Sequence, residues 1–109
     1  MPSDLAERLR EVVAMSDRLR EVSRRGEVDA LIEQESLCRG AIEAVVEELK
    51  TVDATTEGER ESIRLALRHA QSVYAEVEDA LRRARDEIGR ELQKYKTGRK
   101  ARRAYEDNL

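Results

Sequence analysis

The apolar positions of this chain recur at helical spacing almost from end to end. The longest pattern runs from Thr56 to Tyr105, with Ile63, Leu67, Ala70, Tyr74, Val77, Leu81, Ala84 and Ile88 stepping by four and three in turn. Residues spaced in this way share one face of an α-helix. Leu92 then follows Ile88 by a second consecutive step of four, before Tyr95. The stripe therefore drifts around the helix at this point.

Two shorter patterns precede it. Leu5, Leu9, Val12, Ser16 and Leu19 form a seam that Val13, Met15 and Val22 widen, and a stripe of that width faces a core. Arg24 and Arg25 suit the negative end of a helix dipole, and Gly26 can adopt the left-handed conformation that ends a helix, so the first helix is predicted to end near Arg24. A second seam comprises Val28, Leu31, Glu35, Cys38, Ile42, Val45 and Leu49. Glu35 is its one charge, and a seam carboxylate costs stability unless it reaches water or a cation. The stretch from Lys50 to Thr56 has no period and predicts a turn. Thr56 with Glu59, and near the start Asp4 with Glu7, have the spacing of a capping box; Ser3 is a second candidate for the first cap.

The expected fold is all-α: an antiparallel three-helix up-down-up bundle with a long third helix and a short C-terminal helical segment or tail. A third helix from Glu57 to Lys96 would measure roughly 60 Å against about 30 to 36 Å for the others. Its last third, from about Arg82, then has no partner helix within the chain. The expected organisation is a bundle over residues 1–97, followed by a basic tail or short regulatory helix over 98–109.

Composition agrees with this picture. Charged residues make up 41% and aromatic residues 3% of the 109 positions, without Phe or Trp, as in long-helix proteins with one modest core. The regular stripes argue against disorder. The net charge of -3 conceals a division: residues 26–61 carry eleven acids and three bases, a net of -8, whereas residues 82–103 carry ten bases and three acids, a net of +7. The longest apolar run, Val12-Val13-Ala14-Met15, is far too short to span a bilayer, so no membrane insertion is expected. The start, Met1-Pro2-Ser3-Asp4, shows no secretory pattern, and the single Cys38 fits a reducing, cytoplasmic setting.

The residues of catalysis are missing as a set. His69 is the sole histidine, lies beside the seam, and has no serine, cysteine or carboxylate arrangement framing it. Cys38 on a seam reads as packing rather than as a nucleophile. There is no second cysteine and no His-Glu-x-x-His or Glu-x-x-His spacing, and the five glycines are scattered, so neither enzyme activity nor a metal or cofactor is expected. Lys94, Lys96, Arg99, Lys100, Arg102 and Arg103 form a run of cations without an acid among them. Such a run can grip nucleic acid or anionic lipid, but the remainder of the chain sums to -9 and repels phosphate, which disfavours nucleic acid. An acidic protein surface, the chain's own or a partner's, is the favoured contact.

Two places resemble the FliT family of flagellar export chaperones. Gly26-Glu27-Val28-Asp29-Ala30-Leu31, followed by Glu33, Glu35 and Arg39, is similar to that family's glycine-acidic turn into an acidic second helix. The end, from Glu91 through Gly98-Arg99-Lys100-Ala101-Arg102-Arg103-Ala104-Tyr105, is similar to its closing pattern of helix, glycine, lysine with alanine, and alanine-tyrosine. The resemblance implies a cytoplasmic chaperone that holds the filament-cap protein before type III export, touches the flagellar export apparatus and, in some bacteria, restrains flagellar gene expression. It also implies that a short helix after the glycine, here Arg99 to Asn108 with Ala101, Ala104 and Tyr105 along one edge, can cover the partner site. The expected partner-binding surface has Ile88, Leu92 and Tyr95 as apolar anchors, with Arg99, Lys100, Arg103 and Tyr105 orienting the partner. The competing readings are a homodimer that covers Leu92 and Tyr95, a basic-tailed helical regulator of nucleic acid, and a generic coiled-coil adaptor.

Overall fold

The computed structural model describes residues 3–51 and 56–107, with three helices and no strand among them: α1 (Ser3–Arg25), α2 (Val28–Thr51) and α3 (Glu57–Asp107). The chain divides into two compact units, Met1–Glu78 and Asp79–Leu109.

In the first unit the seam of α1 is the one expected. Leu5, Leu9, Val12, Ser16 and Leu19 are all buried. Ser16, the polar member, is satisfied locally: its hydroxyl donates to the Val12 carbonyl at 2.7 Å and lies 3.6 Å from the Cys38 sulfur. Gly26 takes φ +70 and its amide donates to the Ser23 carbonyl, which ends α1 as expected. The side chain of Ser3 lies outside the described residues; Asp4 stands in the first turn of α1, where a negative charge suits the helix dipole.

The other two seams are shifted toward small residues. In α2 the buried positions are Cys38, Ala41 and Val45, while Leu31, Ile42 and Leu49 are half-buried and Val28 is exposed. Glu35 escapes the cost of burial by lying at the edge of the seam, 3.9 Å from Arg39. In α3 the buried line is Ala66, Ala70, Val73 and Val77, flanked by half-buried Ile63, Leu67 and Tyr74. Large apolar side chains were expected along this line; instead Ile63, Leu67 and Tyr74 flank it, and the smaller Ala66, Ala70, Val73 and Val77 are the buried ones. Two adjoining clusters result. Leu5, Leu9, Val12, Ala41, Val45, Ala66 and Ala70 form one, and Leu19, Cys38, Val73 and Val77 the other, so each helix contributes to both.

Polar contacts link the same helices at their rims. Arg8 lies 3.5 Å from Glu48, and the Gln34 amide donates to the Met15 carbonyl at 3.3 Å. Arg20 meets Glu76 at 2.8 Å, and His69 Nε2 lies 2.7 Å from Asp17 Oδ1. In the predicted turn, residues 52–55 lie outside the described residues. Beyond it, Thr56 caps α3: its hydroxyl oxygen accepts from the Glu59 amide and donates to the Glu59 carboxylate, each at 3.2 Å.

The end of α3 differs from the expectation. The helix does not stop at Lys96 but continues through Gly98 to Asp107. Among the described residues Gly26 alone has positive φ, so Gly98 is an ordinary helical residue rather than a cap. Its neighbours Lys96, Arg99, Lys100 and Ala101 are good helix formers, and they offset the propensity cost of one glycine.

Candidate partner-binding surface

Within the second unit every described residue from Leu81 to Asp107 is exposed. Helical geometry places Leu81, Ala84, Ile88, Leu92 and Tyr95 on one side, within an arc of about 80° at 100° per residue. Ile88, Leu92 and Tyr95, the expected anchors, are 61%, 55% and 66% exposed. A large apolar side chain in water signals something only when it has neighbours of its kind, and these stand one turn apart.

Below this stripe the helix turns cationic. Tyr95, Gly98, Arg99, Arg102, Arg103 and Glu106 line a shallow, open hollow along one side of the helix. Of the expected orienting residues, Arg99 and Arg103 are thus brought together with Tyr95. Lys100 and Tyr105 are exposed but do not line the hollow, and Tyr105 lies about 100° around the helix from the centre of the stripe. Ala101 and Ala104 share that far side. Gly98, Arg102 and Glu106 were not among the expected partner-binding residues, although Arg102 belongs to the cation run. Their spacing from Tyr95, at three, seven and eleven, is a plain helical signal that an assumed stop at Lys96 hides. Local ion pairs are few and solvent-exposed: Arg83 with Asp79 at 3.2 Å and Lys94 with Glu91 at 3.5 Å. Pairs of this kind contribute a few tenths of a kcal/mol.

The first unit offers a different chemistry. One apolar groove is lined by Ala6, Leu9, Arg10, Val13, Ser62, Leu65 and Ala66, and another by Ile42, Leu67, Ala70, Gln71, Tyr74, Ala75 and Glu78. Burial raises the Tyr74 hydroxyl to about 12, with the neighbouring Cys38 thiol and the Glu35 carboxylate adding to the shift and Arg39 opposing it. Among the described residues no three His, Cys, Asp or Glu side chains gather as a metal site, and no helix is long and apolar enough to cross a membrane. Charge divides along the same line as the fold. Residues 1–78 carry eighteen acids and eleven bases, residues 79–109 ten bases and six acids.

The family model described as flagellar protein FliT matches residues 6–107, nearly the whole chain. No curated protein and no solved structure matches.

Proposed function

We propose, from the premise that this chain belongs to the FliT family of flagellar proteins, that it binds the filament-cap protein in the cytoplasm and holds it until export. Membership by itself implies the broader role of a flagellar export chaperone. The finer reading adds the filament-cap protein as cargo, contact with the export apparatus, and restraint of flagellar gene expression. Its mechanism is binding without catalysis.

The observation that carries this reading is the apolar stripe of Ile88, Leu92 and Tyr95, exposed and continuous with the cations Arg99, Arg102 and Arg103. An export chaperone must recognise an apolar segment that its cargo will later bury, and a stripe of this kind offers a helix-in-groove or helix-on-helix contact. Basic residues beside it select an acidic or polar cargo flank and speed encounter more than they deepen affinity. Lys100 and Tyr105 complete the proposed surface as contacts outside the hollow.

The bundle that supports this surface is proposed to be antiparallel and up-down-up. Contacts between α1 and α2 join rising numbers to falling ones, Arg8 with Glu48 and Ser16 with Cys38. Contacts between α1 and α3 keep the same order, Asp17 with His69 and Arg20 with Glu76.

Titration calorimetry with the C-terminal segment of a filament-cap protein tests the assignment. The full chain is expected to bind, and deletion of residues 98–109 to change the affinity. Absence of binding with and without those residues would sink the reading.

A further inference from the structure

We infer that the basic end of α3 is also a peripheral docking surface for an anionic lipid bilayer. Three features of the second unit carry the inference. Leu81, Ile88, Leu92 and Tyr95 stand exposed on one side of the helix. Residues 92–105 contain six cations and no acid, and Glu91 and Glu106 bound the run. Five of those cations, Lys96, Arg99, Lys100, Arg102 and Arg103, fall within an arc of about 160° that overlaps the apolar side.

A helix with that layout satisfies both layers of a bilayer interface at once. Its apolar side chains enter the boundary of the acyl chains, while lysine and arginine stems extend their charged heads to the headgroup phosphates. Tyrosine, with an apolar ring and a polar tip, favours the same depth. Nucleic acid would use the cations alone and leave the stripe in water. A lipid surface on which the helix lies can meet the whole arc. Each lysine or arginine near such a surface strengthens binding about fivefold, so the five on this arc make a cluster of the size that recognises anionic headgroups. The contact is peripheral, reversible and local to the basic end, because the remainder of the chain, at -9, is repelled by the same phosphates. It uses the same side of the helix as the proposed cargo surface but needs no cargo, so vesicle binding and cargo binding can each fail without the other.

Co-sedimentation of the full chain with vesicles decides the matter. Vesicles of phosphatidylglycerol and phosphatidylcholine in equal parts are compared with phosphatidylcholine alone. The chain is expected to pellet with the anionic vesicles only, and to be released as salt rises from about 0.01 M to about 0.15 M, where the Debye length falls from about 30 Å to about 8 Å. The combined change Lys96→Gln, Arg99→Gln, Arg102→Gln and Arg103→Gln is expected to weaken binding by several hundredfold, at about fivefold per charge. Leu92→Ser is expected to weaken it without altering the salt dependence. Circular dichroism of each variant reports retained helix, and the salt series on the unaltered chain stands on its own if a variant unfolds. Equal pelleting with neutral vesicles, or no pelleting with anionic ones, would overturn the inference. So would duplex DNA or polyglutamate bound more tightly than the vesicles at the same salt.

Discussion

The two units of this chain use one alphabet of periodic apolar residues for opposite ends. In Met1–Glu78, stripes from three helices converge on Leu5, Val12, Leu19, Val45 and Val73, which are fully buried. In Asp79–Leu109 a stripe of equal regularity, Leu81, Ile88, Leu92 and Tyr95, stays in water. The residue types barely differ; the neighbours do. Where α3 carries Ala66, Ala70, Val73 and Val77 it lets other helices approach. Beyond Leu81 every described position is exposed, and the charge reverses from acidic to basic. An apolar stripe at helical spacing therefore announces a contact without saying whether that contact is internal.

The sharpest way to break this contrast is to shorten one leucine in each unit. Leu19→Ala removes a side chain with no exposed surface and is expected to cost about 2–5 kcal/mol in urea unfolding. Leu92→Ala is expected to stay within about 0.5 kcal/mol in the same assay. Comparable losses at both sites would mean that residues near Leu92 are part of a buried core.

Two glycines extend the comparison to the backbone. Gly26 holds φ +70 at the turn between α1 and α2, a conformation that costs a residue with a side chain about 1–2 kcal/mol, so Gly26→Ala is expected to lower stability by that order. Gly98 is helical with nothing within 4 Å of an added Cβ, and Gly98→Ala is expected to favour the helix by about 1 kcal/mol, read as increased helical circular dichroism. A loss of helix on Gly98→Ala would instead mark a real break at that position.

A smaller effect distinguishes the half-buried tyrosine from the exposed ones. Burial raises Tyr74 from 10.0 to about 12, so the folded chain holds this proton more tightly than the unfolded chain does. The associated stability is present below pH 10 and is lost as pH rises toward 12, giving a decline across that window. Tyr74→Phe is expected to remove this component of the decline. Ultraviolet titration of a chain carrying Tyr95→Phe and Tyr105→Phe follows the remaining ionisation directly.

Much of the bundle was legible in the sequence because α1 obeys periodicity without exception, from Leu5 to Leu19. Gly26 and Thr56 were legible because each performs a task that few residue types perform: a positive φ and a hydroxyl cap. The centres of the other two seams were harder to find. Ala41 and Ala66 are too small to stand out by hydrophobicity, yet both are buried, whereas Ala70 was legible from its place in the stripe. The end of α3 was misjudged for a related reason. Gly98 reads as a stop where the chain needs a left-handed residue, but the surrounding lysine, arginine and alanine favour continuing the helix. Once α3 runs on, Tyr95, Arg99, Arg102, Arg103 and Glu106 fall at helical spacing, and half of the hollow that was missed becomes readable. Lys100 and Tyr105 were chosen from the run of residue types, which does not say which side of a helix they occupy.

The stripe beyond Leu81 is proposed to bind a partner rather than to hold the fold. Calorimetric titration of a filament-cap protein's C-terminal segment into the unaltered chain and into Leu92→Ala with Tyr95→Ala tests it most directly. The double variant is expected to unfold at the same urea concentration and to raise Kd by at least about thirtyfold, the loss of about 2 kcal/mol typical of central anchors. An unchanged Kd in a folded double variant would contradict the claim.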